Sequence, residues 1–226
     1  MPPLSLTDTS PDRYKDFVAK FGEKYTTLRA DLGFARDTRD SLFYPTRGGL
    51  QSVFAEVGLP GGDLEYYKLS YQQQWLTPLT STVALLLNGE IGYAKGYGGK
   101  ELAFFKNFYA GGVGSVRGYK TSSLGPRDTN GDALGGNRRF TGNIEVLFPM
   151  PGLAADRNVR LSGFVDLGQV FGQNEPIAAS GFRYSTGLAV SWFSPIGPLK
   201  FSVATPINKK EGDQIERFQF LLGKIF

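Results

Sequence analysis

Nine stretches in which polar and apolar residues alternate constrain the fold of this chain more than any other feature. They cover approximately residues 26–37, 49–59, 66–77, 82–95, 139–148, 159–171, 183–193, 199–207 and 216–226. Side chains of a β-strand point alternately to its two faces, and stretches of about ten such residues separated by turns are typical of outer-membrane β-barrels. The sequence therefore predicts an all-β, antiparallel fold of about nine strands.

The character of the two faces favours a transmembrane wall over a soluble β-sandwich, which would show similar alternation. In the stretch 139–148, Ile144 and Val146 share one face, while Asn143 and Glu145 share the other. Polar faces carry charged and small residues, and aromatic residues gather near strand ends, as in interface girdles. These aromatic residues are Tyr66, Tyr67, Trp75, Tyr93, Tyr97, Phe148, Phe171, Trp192 and Phe193. We interpret the apolar faces as lipid-facing and the polar faces as the lining of a lumen.

Composition removes several other classes of protein. No apolar run approaches the ~20 residues that a membrane-spanning helix needs. The chain has no Cys and no His, so it lacks disulfides, thiolate metal sites and the commonest general base. The run 128–132 resembles the start of a calcium loop, but Arg139 stands where the bidentate Glu is needed. The interspersed net charge of +4 predicts no nucleic-acid partner. We expect no enzymatic activity, cofactor or metal.

The chain divides into a short N-terminal segment, residues 1–24, and a barrel part, residues 25–226. The first is predicted to be a surface-loop segment with an amphipathic helix that Ser10 caps, with Pro11 as first helical residue and Gly22 at the exit. Its apolar stripe consists of Tyr14, Phe17, Val18 and Phe21. The helix is expected against the barrel rim or, alternatively, on the membrane interface. The barrel part carries a long loop over 96–138.

The middle of that loop holds the sequence Val116-Arg117-Gly118-Tyr119. Arg keeps its charge at all ordinary pH values and carries five donors, so a loop folded into the lumen would need carboxylates there. Glu145 and Asp166 both lie on polar strand faces. We predict that they anchor Arg117; a switch that links loop position to substrate release is the alternative. An acid/base pair is disfavoured, because the arginine would hold both carboxylates ionised.

Several motifs, in order, resemble the BamA family of outer-membrane β-barrel assembly factors of Gram-negative bacteria, and the resemblance covers nearly all of the chain. The matching runs are 44–48, 65–68, 108–112, 115–119, 125–127, 134–137, 164–168, 194–199 and 218–226. The resemblance implies the C-terminal nine strands of a sixteen-stranded transmembrane barrel, with the long loop folded into the lumen. The first half of that barrel and the periplasmic POTRA domains that precede it are expected to be missing. The implied location is the bacterial outer membrane.

The same resemblance implies the function, namely folding and insertion of β-barrel proteins by strand templating at a lateral seam. The seam strand resembles the family's β-signal in Phe218, Phe220, Leu222, Gly223 and Phe226. The implied partners are outer-membrane lipid, nascent β-barrel proteins and assembly-machine lipoproteins, the last mainly through the POTRA domains. Two alternatives stay open: a polypeptide-translocating pore of the two-partner secretion or TamA type, and an inactive fragment. The open edges would also allow copies of the chain to associate.

Overall fold

A computed structural model of the chain describes residues 6–8, 10–42, 44–152 and 158–223. The elements are α1 (Asp12–Phe21), β1 (Arg29–Asp37), β2 (Gly48–Gly58), β3 (Tyr66–Pro78), β4 (Ala84–Gly96), β5 (Gly118–Tyr119), β6 (Arg138–Pro149), β7 (Val159–Phe171), β8 (Arg183–Ser194), β9 (Gly197–Pro206), β10 (Ile215–Glu216) and β11 (Phe218–Leu222), with short 3-10 turns at Phe104–Lys106 and Ala179–Gly181. Across the described ranges, no helix combines the length and apolar character needed to cross a membrane.

Nine strands form one antiparallel sheet in the order β1-β2-β3-β4-β6-β7-β8-β9-β11, which confirms the predicted all-β architecture. Strands β1 and β11 each have one neighbour in this sheet. The prediction of a single terminal strand over 216–226 is wrong in its first residues. Ile215 and Glu216 pair with Tyr119 and Gly118 of the long loop, so β10 and β5 form a separate two-stranded ribbon.

The outer face of the sheet is apolar and open. Strands β3, β4, β6, β7, β8 and β9 each expose an aliphatic side chain there, namely Leu69, Ile91, Ile144, Val165, Leu188 and Val203. Such a continuous exposed apolar surface is what a lipid-facing wall requires. Two aromatic residues do not belong to this surface as predicted. Tyr66 points to the opposite face and is buried. Phe171 is also buried, because the rings of Phe140 and Phe182 pack against it.

The inner face, which we define as the face covered by residues 97–137, also receives α1. Phe17 packs with Tyr25, Leu64 and Ala103, and Tyr14 stacks on Phe104 with ring centroids 3.9 Å apart. The helix therefore lies against the loop and the strand ends. Its start differs from the prediction by one residue. Pro11 is the N-cap, and Ser10 Oγ accepts the N–H of Thr7 instead of capping the helix. Gly22 ends it in the left-handed region, φ 86°.

The described residues of the turn between β1 and β2, 38–42 and 44–47, reach across the sheet at the end opposite the long loop. The hydroxyl of Tyr44 donates to the carbonyl of Asn158 at 2.7 Å and accepts the N–H of Phe193 at 3.0 Å. The guanidinium of Arg160 donates to the carbonyl of Pro45 at 2.8 Å. Because β2 and β7 are separated by three strands in the sheet, these bonds require a strongly curved sheet.

Candidate functional site

The tip of the long loop fits closely against small residues of the sheet. Gly118 has φ +87°, and a Cβ at this position would lie 3.1 Å from the Cβ of Ala204 on β9. Val116 is fully buried against β7, where a Cβ on Gly168 would come within 2.7 Å of its Cγ2. Glycine at these two positions allows loop and sheet to approach closely enough for Arg117 to reach the strand walls.

Arg117 binds Asp166 on β7 through three hydrogen bonds. Its Nε donates to Oδ2 and its Nη2 to Oδ1, both at 2.7 Å, and its backbone N–H donates to Oδ2 at 3.0 Å. Both side chains are almost completely buried, at 3% and 0% exposure. A bidentate arginine–carboxylate pair is among the stronger charge-assisted contacts, and its geometry is directional. The loop tip is therefore held in one position on β7.

Glu145 on β6 supplies the second predicted contact and is itself shared. Its Oε2 accepts from Nη1 of Arg117 at 3.1 Å, and its Oε1 accepts from the hydroxyl of Ser162 at 2.5 Å. Lys200 on β9 donates to the same carboxylate at 3.1 and 3.3 Å. The cluster thus contains two cations and two carboxylates, with a formal charge of zero. Charge balance lowers the cost of burying four ionised groups.

Lys200 is the member of this cluster that sequence reasoning missed. It shares a face of β9 with the small residues Ser202 and Ala204. A charge at this position must meet either water or an acid, and the sequence alone does not show which of the two it meets.

Two further residues complete the surroundings of Arg117. The amide of Asn143 donates to the carbonyl of Ser115 at 2.7 Å and to Oδ1 of Asp166 at 2.9 Å, so it joins loop and strand wall. The ring of Phe164 lies under the guanidinium, with its centroid 3.3 Å from Cζ. Guanidinium groups stack favourably on aromatic faces. The sequence contained both residues on the expected strands, but a residue list alone does not show which of them faces Arg117.

Tyr119 is fully buried in the loop core with Val116, Leu124 and Val170. Burial, and after it the negative charge of Asp213, raises the pKa of the Tyr119 phenol to about 12. The phenol therefore stays protonated and can donate to the carbonyl of Tyr184, 3.4 Å away. The four residues of the predicted anchor motif all pack against the sheet; their functional role remains a proposal.

A second polar network holds the first arm of the loop. The ammonium of Lys106 donates to Glu56 on β2 at 2.7 Å. Lys68 on β3 donates to the carbonyl of Lys106 at 2.9 Å and lies 4.2 Å from the centroid of Phe108. The loop is thus attached to the inner face at two separate places, its first arm on β2–β3 and its tip on β6, β7 and β9.

The predicted seam residues lie apart from the arginine cluster. Phe218, Phe220 and Leu222 point to the outer face of β11 and are more than half exposed. Gly223 follows β11 with φ +124°, and its N–H donates to the carbonyl of Pro198 at 2.8 Å. Phe226 lies outside the described residues.

The arrangement suits positioning rather than bond chemistry. The carboxylates of Glu145 and Asp166 are occupied by cationic donors, which is unsuited to a general acid. A cavity of about 170 Å³ with a mixed polar and apolar lining remains beside the loop tip. Gln72, Gln74, Asn88, Gly114 and Lys200 are among the residues that line it. It has room for a few water molecules, each of which occupies about 30 Å³.

The chain is similar to known proteins over almost its whole length. The model of the Omp85 superfamily domain matches residues 4–226. The outer membrane protein assembly factor BamA of Neisseria meningitidis serogroup B is 42% identical, over 99% of this chain and 33% of that protein. The BamA of Nitratidesulfovibrio vulgaris is 30% identical, over 98% of this chain and 28% of that protein.

A solved structure is similar as well. The crystal structure of BamA from Haemophilus ducreyi lacking POTRA domains 1–3 superimposes with a TM-score of 0.86 at 28% identity, over 95% of this chain and 48% of that chain. The chain spans about a third of the length of the curated relatives it matches. On the family model and on these identities, the chain belongs to the Omp85 superfamily.

Proposed function

We propose that this chain is part of the membrane-inserted portion of an outer-membrane protein assembly factor, which folds and inserts β-barrel proteins. The observation that carries the proposal is the combination of two surfaces on one sheet. The outer face is a continuous apolar wall, and the inner face holds a buried, charge-neutral loop anchor at Arg117. The similar proteins from Neisseria and Nitratidesulfovibrio are named as assembly factors of this kind.

The proposed mechanism is strand addition at β11. In the part of the chain that the structure describes, this strand pairs with β9 on one side and has no neighbouring strand on its other edge. An unpaired edge offers backbone donors and acceptors to an incoming extended segment. A nascent β-barrel protein would pair there, while Phe218, Phe220 and Leu222 stay in contact with lipid. No covalent step is required.

A polypeptide-translocating pore is the competing function. Passage of an extended chain along the inner face would require the loop to leave it, which means breaking the Arg117 cluster and the Lys106 contact with Glu56. The turn at 38–47 crosses the opposite end of the same face. Both features favour a closed inner face during function over an open channel.

One experiment distinguishes the two functions. The intact protein is placed in phospholipid vesicles, and the folding rate of an unfolded reporter β-barrel is followed together with ion conductance. Accelerated reporter folding with low conductance supports the assembly function. High conductance without acceleration would establish the pore, and the absence of both would show an inactive piece.

A further inference from the structure

Gln219 joins the terminal strand directly to the tip of the long loop. Its side chain points from β11 to the inner face and is 4% exposed. Its Oε1 accepts the N–H of Gly118 at 3.3 Å, and its Nε2 donates to the carbonyl of Tyr119 at 2.8 Å. The same Nε2 donates to Glu216 at 3.1 Å. One carboxamide therefore satisfies a backbone donor and a backbone acceptor of the loop.

These bonds extend the ribbon that β5 and β10 form. In the ribbon, Tyr119 lies opposite Ile215 and Gly118 lies opposite Glu216. The N–H of Lys120 also donates to the carbonyl of Gln214 at 2.9 Å. The loop tip is thus bonded through its backbone to the residues just before Arg217, and through the side chain of Gln219 to the strand that follows.

The chemistry of this contact is specific to a primary amide. Gln carries a donor and an acceptor on one side chain, whereas an ionised Glu only accepts and Leu does neither. The contact also lies beside a short ladder, since within the described residues β11 pairs with β9 over five positions, 218–222. Bonds from the loop are therefore a substantial share of what holds this strand in place.

We propose that Gln219 is a positioning residue that couples the docked position of the loop tip to the position of the terminal strand. Displacement of β11 releases Gly118 and Tyr119, and undocking of the loop loosens β11, since coupling between two sites is reciprocal. A role for this coupling rests on the proposed function, in which a nascent strand adds to the open edge of β11. Such an addition would shift β11 and thereby change how firmly the loop tip is docked.

Backbone hydrogen exchange of the intact protein in phospholipid vesicles tests the coupling. Gln219→Leu should raise exchange at residues 118–120 by roughly tenfold or more, because buried backbone groups lose their partners. The matched control is Gln72→Leu, since Gln72 is an inner-face glutamine of β3 that donates to Asn88 and not to the loop backbone. The control should leave exchange at 118–120 unchanged.

The reciprocal direction needs a double variant. Gly118→Ala should raise exchange at 218–222 in the parent protein, but add little in the Gln219→Leu background, where the link is already lost. Equal effects of Gly118→Ala in both backgrounds would overturn the proposal. If Gln219→Leu raises exchange throughout β2 and β3, the fold itself is affected. In that case Gln219→Glu, which keeps the acceptor for Gly118 but loses the donor for Tyr119, is used in place of the leucine variant. Unchanged exchange at 118–120 in Gln219→Glu would also overturn the proposal.

This test and the test of the proposed function fail separately. Reporter folding by the unmodified protein can be absent while the exchange data still show coupling between loop and strand. Conversely, reporter folding can be normal while Gln219→Leu leaves hydrogen exchange at 118–120 unchanged.

Discussion

At one edge of the sheet β1 pairs with β2 along all nine of its residues and is exposed on both faces. At the other edge the described part of β11 pairs with β9 over five residues and is supported from inside by the long loop. The long loop also buries inner-face residues of β6, β7 and β9, among them Glu145, Asp166 and Lys200. The long edge thus depends on its backbone ladder, and the short edge on side chains that meet the loop.

The difference shows how a short edge strand can be kept in a defined place. Each ladder bond contributes only about 1 kcal/mol net, so the five described pairs of β11 contribute less than the nine pairs of β1. The loop adds directional contacts that can be lost together, which makes the short edge more sensitive to the inner face than β1 is. Four sets of substitutions test this contrast.

Arg117→Ala is expected to have the largest effect, about 3–5 kcal/mol of unfolding free energy, because Asp166 and Glu145 lose their shared cation while buried. Urea titration of the protein in vesicles measures it. Arg117→Lys should recover only part of the loss, since an ammonium cannot make the bidentate contact. An unchanged unfolding midpoint in the alanine variant would rule out an anchoring role.

Lys200→Met should cost less, about 2 kcal/mol, because Glu145 keeps Arg117 and Ser162 as donors. The same titration measures it. In combination with Glu145→Gln, which removes the negative charge, the lysine substitution should cost less than it does alone. Strict additivity of the two substitutions would show that Lys200 and Glu145 do not interact.

Gly118→Ala is expected to cost roughly 1–2 kcal/mol, because an L-residue is strained at this positive φ and the new methyl meets Ala204. Gly61→Ala is the matched control. Gly61 also has a positive φ, but an added Cβ there would meet no atom within 4 Å. Urea titration gives the loss of unfolding free energy for each variant. A larger loss for Gly118→Ala than for Gly61→Ala reflects the close approach of loop and sheet, and equal losses would contradict that approach.

The smallest effects come from a matched pair, Ala204→Ser on β9 and Ala35→Ser on β1. Ala204 is buried beside the loop tip, so its new hydroxyl should cost about 1 kcal/mol. Ala35 is exposed, and its substitution should stay within about 0.5 kcal/mol. Similar costs at the two positions would remove the distinction between the two edges.

Much of the fold could be predicted because strand alternation is a local property. The period of two placed Glu145 and Asp166 on the inner face correctly, and glycine and proline marked most turns. Contacts between distant segments left no such local trace. The pairing of β10 with β5 joins residues about a hundred positions apart, so Glu216 was predicted as the first residue of the terminal strand.

The candidate site was predictable only in part for a similar reason. An arginine that cannot lose its charge demands acids, and two acids stood on suitable strand faces. Lys200 and Gln219 carry no such demand when their surroundings are unknown, because a lysine or glutamine on a lumen face can simply be solvated. Tyr66 was assigned to the outer face from its place near a strand end, but its hydroxyl donates to Glu56 on the inner face.

The central claim is that the docked loop, held by Arg117, supports the short edge of the sheet and not the long one. Hydrogen exchange at residues 29–37 and 218–222, measured side by side in the parent protein and in Arg117→Ala, tests it most directly. The substitution is expected to raise exchange at 218–222 by at least about tenfold and to leave 29–37 unchanged. An equal rise at both edges, or no rise at 218–222, would contradict it.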